Sequence, residues 1–127
     1  MTSRDPLDGF ADDLLAAVAA DHGVDEAGLR DAVSTHQTGM RDLPGVEDLV
    51  YEWRTRYRDP LLARRPEAYY LMLPPDVWEE FDTVLEYDDP VLQALRAVHT
   101  RRTHRDLDER STSPLGDHAQ AIVIVRE

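Results

Sequence analysis

Arginine is the residue type whose placement most invites a chemical reading. Arg54, Arg58, Arg64 and Arg65 surround Tyr57, and Arg101, Arg102 and Arg105 form a second group downstream. Guanidinium forks bind phosphate bidentately and stack on bases and aromatic rings. Arg54, Arg58, Arg64, Arg65, Arg101 and Arg105 are therefore the candidate partner or phosphate contacts. The competing expectation is that these arginines pair with acidic segments of their own chain. The two differ in geometry: a structural guanidinium sits against a carboxylate, whereas a functional group converges on open solvent with few partners.

The other chemistry-bearing residues support less. His22, His36, His99, His104 and His118 show no metal-ligand spacing. His99 and His104 lie about 140° apart on a helix, so they do not share a face. His36 and His99 fall on apolar stripes and read as partly buried. The absence of cysteine excludes thiolate catalysis, cysteine zinc sites and iron–sulfur clusters. His104-Arg105-Asp106 resembles part of the protein-kinase catalytic loop, but the chain has neither a glycine-rich phosphate loop nor any lysine. No nucleophile elbow or dinucleotide fingerprint is present. Acid pairs such as Asp12/Asp13, Glu79/Glu80 and Asp88/Asp89 are expected among 26 acids. The sequence thus predicts no catalytic residue, no cofactor and no metal.

The charge balance sets the medium in which any contact must work. The 127 residues carry 26 acids against 14 basic residues, all of them arginine, for a net charge of -12. Acid excess, arginine in place of lysine, scarce isoleucine and abundant alanine, aspartate and valine resemble the composition of salt-in halophilic proteins. A GC-rich genome is the alternative source. In molar salt the Debye length falls to about 3 Å, so repulsion among surface acids is screened and returns on dilution. Stability is expected to fall as salt drops below about molar. The charge is also uneven: residues 51–66 and 93–110 hold ten of the fourteen arginines.

Apolar spacing supplies the elements that must carry these groups. Leu7, Phe10, Leu14, Leu15 and Val18 predict a helix over about 6–21, opened by Asp5-Pro6 and ended by Gly23. Asp25 caps a second helix over about 26–37, with Leu29, Val33 and His36 inward and Thr38-Gly39 as its stop. Val46, Leu49, Val50, Trp53 and Tyr57 form the stripe of a third, with Glu52 and Arg56 paired on its wet side. Residues 61–66 read as a connector. Helices follow over about 76–86, with Val77, Trp78, Phe81, Val84 and Leu85 inward, and about 90–103, with Val91, Leu92, Leu95, Val98 and His99 inward. Residues 106–116 read as a surface loop.

Residues 15–34 resemble the helix-turn-helix pattern of DNA-binding proteins. Ala19 stands at the small position, Gly23 at the turn, Val24 just after it, and Leu29 and Ala32 at buried positions of the second helix. The pattern departs at His22, where an apolar residue is usual. The outward residues of the second helix, Asp25, Glu26, Arg30, Asp31, Ser34 and Gln37, are mostly acidic or neutral. Such a face repels phosphate.

Residues 68–73 and 119–125 are apolar at nearly every position, which marks strands covered on both faces. Two intervening helices return the chain, so the pair is expected to be antiparallel. The predicted fold is α+β, mainly α-helical with a small antiparallel sheet. It forms a single domain over 1–127, comprising a helical part (6–58) and a β-α-α-β part (67–126). Two strands leave edges that a helix or a second copy of the chain must cover. With no long apolar segment and no hydrophobic leader, a cytoplasmic protein without membrane contact is expected. The reading that follows is a non-catalytic interaction or accessory module with a protein partner or as a homodimer. The alternatives are a nucleic-acid-associated regulator and a small phosphate- or nucleotide-binding enzyme.

Overall fold

The computed structural model describes residues 5, 7, 9–42, 45–57, 60–107 and 120–126, without the side chains of 41 and 42. Its elements are α1 (Asp12–His22), α2 (Glu26–Asp42), α3 (Val46–Arg56), β1 (Leu61–Arg64), β2 (Ala68–Leu73), α4 (Pro75–Val84), α5 (Asp89–Asp106) and β3 (Gln120–Val125). The α+β class and the antiparallel pairing of β2 with β3 are as the apolar runs predict.

Four boundaries differ from the sequence reading, each for a local reason. Helix α1 begins at Asp12, not near residue 6. Ahead of it the Leu7 N–H donates to Asp5, Phe10 closes a turn onto the Leu7 carbonyl, and Gly9 takes a φ of 80° that no helix accepts. Pro6 lies outside the described residues. Helix α2 has its expected cap, the Gly28 N–H donating to Asp25 at 3.1 Å, but it continues through Thr38-Gly39 to Asp42. Met40 is buried one turn beyond His36, so the inward stripe outlasts the glycine. Helix α5 extends to Asp106, and of the expected surface loop only Asp106 and the buried Leu107 lie within the described residues. Val84, expected inward, is 76% exposed at the end of α4.

The fourth difference changes the sheet. Residues 61–64, read as connector, form β1, which pairs antiparallel with β2 around a turn at Pro66-Glu67 closed by the Arg65 N–H on the Ala68 carbonyl. Strand order is β1-β2-β3, so β2 is central. A bulge between Leu61 and Ala63 breaks the alternation by which a strand is recognised in sequence.

Helix α5 lies along β3, and α1 and α2 pack on α5. The outward edge of β3 is met by helix side chains. Gln37 of α2 donates to the Val123 carbonyl at 2.6 Å and accepts from the Val125 N–H at 2.9 Å. Nδ1 of His99 on α5 accepts from the Val123 N–H at 2.9 Å. Gln37 was expected to face outward and is instead fully buried. The outer edge of β3 is thus met by α2 and α5, and that of β2 by β1.

Candidate functional site

The two arginine groups occupy opposite chemical settings. Arg101 on α5 pairs with Asp21 at the end of α1. Arg102 is 1% exposed; its guanidinium lies 4.5 Å from the Phe10 ring and 5.8 Å from the Tyr70 ring, and its Nε donates to Asp106 at 3.3 Å. Arg105 donates to the other oxygen of Asp106 at 2.7 Å and to the Gly9 carbonyl at 2.7 Å. The Tyr70 hydroxyl donates to Asp106 at 2.7 Å as well. Burial pushes Asp106 up, but the hydrogen bonds from Arg105, Tyr70 and Arg102 more than offset it and hold the carboxyl below its ordinary value. Burial, and then the bond to Asp106, push the Tyr70 hydroxyl up to about 12. This is a clamp that fixes the segment before α1 against the end of α5. A side chain at position 9 would place its Cβ 2.2 Å from the Arg102 guanidinium, which would have to shift, and would be strained by the φ of 80°, so glycine is favoured there.

The upstream group is built differently. Arg54 and Arg56 are exposed on α3; Arg64 is exposed on β1, and Arg65 is half-buried just after it. Arg58 lies outside the described residues. Arg56 lies 5.6 Å from the Tyr57 ring, Arg64 5.8 Å from Tyr69 and Arg65 5.6 Å from Tyr70. Among the described residues none of Arg54, Arg56, Arg64 and Arg65 has a carboxylate within ion-pair distance, and the expected Glu52–Arg56 pair does not form. Arg30, Arg96, Arg101, Arg102, Arg105 and Arg126 each have at least one. The two groups touch one shared ring: Arg65 and Arg102 both lie against Tyr70. Tyr51 of α3 adds a large side chain 71% exposed.

The described histidines lie apart in two settings. Among the described residues no group of three or more His, Asp or Glu is placed to hold an ion. His22 is half-buried, His104 is exposed, and His118 lies outside the described residues. His36 and His99, expected to be partly buried, are wholly buried, with ring centroids 5.2 Å apart. Trp78 stands 5.0 Å from His36 and 5.1 Å from His99. Both nitrogens of His36, Nε2 of His99 and Nε1 of Trp78 lack a hydrogen-bond partner. Burial pushes His36 down to about 3; burial, with His36 and Arg102 nearby, pushes His99 well below its usual value. Both are neutral at pH 7. This cluster was missed in sequence because each member reads as an ordinary apolar-face residue of its own helix.

The α1–α2 hairpin has the packing that the resemblance to helix-turn-helix proteins implies. Ala19, Leu29 and Ala32 are buried, and Gly23 adopts φ 63° at the turn. Its outward face is acidic, and Arg30 is engaged by Asp12 at 2.9 Å and Glu26 at 3.0 Å. No helix is long and apolar enough to cross a membrane. No curated protein and no solved structure matches the chain. A family model described as Domain of unknown function (DUF8048) matches residues 5–126.

Proposed function

The chain belongs to the DUF8048 family, and from that premise we propose a non-catalytic, acidic binding module that engages a protein partner through its upstream arginine face. The observation that carries the reading is that, among the described residues of this acidic chain, no carboxylate lies within ion-pair distance of Arg54, Arg56, Arg64 or Arg65. Exposed arginine and tyrosine are among the side chains that dominate protein interfaces, because both bring large contact area and directed donors. A partner presenting carboxylates completes these guanidiniums. Nucleic acid is the weaker occupant, because its phosphate charge is continuous and meets the net charge of -12 along its whole length, whereas a protein partner need present carboxylates only at the contact. Phosphate contacts also weaken steeply as salt rises. The acid excess is read as adaptation to concentrated salt, in a cytoplasmic protein.

The test is capture from cells of the source organism in about 2 M salt, comparing the natural chain with the triple variant Arg54→Ala, Arg64→Ala, Arg65→Ala. A partner held by the natural chain and released by the variant, with the melting temperature unchanged, supports the reading. Equal retention by both overturns it. A gel shift that the variant abolishes transfers the face to nucleic acid. Sedimentation distinguishes a second copy: a species heavier than 14.5 kDa that the triple variant dissociates makes the partner the chain itself.

A further inference from the structure

Helices α2, α3 and α4 line a half-open cavity of about 370 Å³ whose inner wall is formed by His36, Met40, Leu49, Trp53, Val77 and Phe81. That volume is the size of a small-molecule site; its buried lining is apolar but for one polar side chain, while Thr35, Glu52, Arg56 and Glu80 stand exposed at its rim. The polar side chain is His36, 1% exposed, with neither imidazole nitrogen hydrogen-bonded. Its neighbours are rings, with Phe81 at 4.3 Å, Trp78 at 5.0 Å and His99 at 5.2 Å. A neutral imidazole offers one donor and one acceptor, and leaving both unmade in the interior is costly.

The chemistry of an occupant follows from the wall. A buried carboxylate or ammonium would find no opposite charge there, because the charged residues bordering the cavity, Glu52, Arg56 and Glu80, are all exposed. A hydroxyl is donor and acceptor at once, and so complements whichever nitrogen carries the proton. The remaining wall rewards hydrocarbon or an aromatic ring. Admitting the hydroxyl requires one wall side chain to turn aside, and Met40, unbranched with three rotatable bonds, is suited to that.

We propose that this cavity binds a small, neutral, mainly apolar molecule bearing one hydroxyl, of the phenol or alcohol class, hydrogen-bonded to His36. It uses none of the three arginines substituted above, so that triple variant retains it and the two readings fail independently.

The chain has two tryptophans. Trp53 is in the cavity wall, and Trp78 packs on His36, so intrinsic fluorescence reports occupancy. Titration of the full chain with para-propylphenol is expected to give a saturable change, and propylbenzene to bind about tenfold more weakly for want of the hydroxyl. His36→Phe keeps a ring in place and should erase that difference; Leu49→Trp should fill the cavity and weaken both probes. Equal affinity for the two probes in the natural chain overturns the proposal, as does a saturable response to neither. The probe comparison needs no variant, so it stands even where His36→Phe does not fold.

Discussion

At the end of α5, Arg101, Arg102 and Arg105 meet Asp21 and Asp106 of their own chain, whereas Arg54, Arg56, Arg64 and Arg65 on and beside α3 and β1 meet tyrosine rings or open solvent. Both regions are arginine-rich windows in an acidic chain, and composition alone gives them the same meaning. What separates them is whether folding has already supplied the counter-charge. A buried guanidinium must be paired, because an isolated buried charge is prohibitive. An exposed one is solvated and remains available for contacts between molecules. Pairing within the chain therefore marks the α5 group as structural, and among the described residues the upstream group is left without a counter-charge.

That contrast can be broken most directly at Arg102. Arg102→Ala removes a buried partner of Asp106 and two ring contacts, and is expected to cost about 3–5 kcal/mol in urea denaturation. A loss no larger than that of a surface arginine would erase the distinction. Gly9→Ala attacks the same clamp from the other side, forcing a side chain into a positive φ and against the Arg102 guanidinium. About 2–3 kcal/mol of destabilisation is expected, and a neutral result would show that the clamp yields.

Acid titration separates the clamp from the histidine cluster. In the unfolded chain His36 and His99 titrate near 6.5, whereas in the fold His36 is held down to about 3 and His99 is also depressed. Between those values the unfolded state takes up protons that the folded state refuses. Stability is thus full above 6.5 and falls as pH drops, by roughly 1.4 kcal/mol per pH unit for each histidine. The depressed carboxyl of Asp106 contributes fully above its ordinary value of 3.8 and is lost only below it. Loss between about pH 6 and 4 accordingly belongs to the histidines. Denaturation curves that do not move over that range would contradict their buried, neutral state. The smallest effect is expected at Arg54→Ala with Arg64→Ala, within about 0.5 kcal/mol of the natural chain. A larger loss would make the upstream face part of the fold.

The sequence made much of the architecture legible through its apolar periods. The stripes of α3 and α4, the turn at Gly23 and the two continuous apolar strands all correspond to observed elements. Strand β1 was not legible because four residues with a bulge present neither alternation nor a continuous apolar run. Helix α2 overran its predicted end because burial of Met40 outweighs the modest cost of Gly39 in a helix. The site was less legible still. Spacing identified the arginine windows but not which guanidiniums would find acids, since Arg101 and Asp21 lie 80 residues apart. His36, Trp78 and His99 come from three helices, and nothing local to any of them announces the other two.

The edge bonds made by Gln37 and His99 reach beyond the packing of one molecule. With Val123 and Val125 already engaged from the helical side, an intruding strand from a misfolded neighbour gains little by approaching β3. It is left the far side of β1, where the bulge and the prolines at positions 60 and 66 interrupt a regular ladder. Two helical side chains thereby act as a guard against cross-β polymerisation, and the chain can keep its most β-prone segment, residues 120–125, without becoming a template for fibrils.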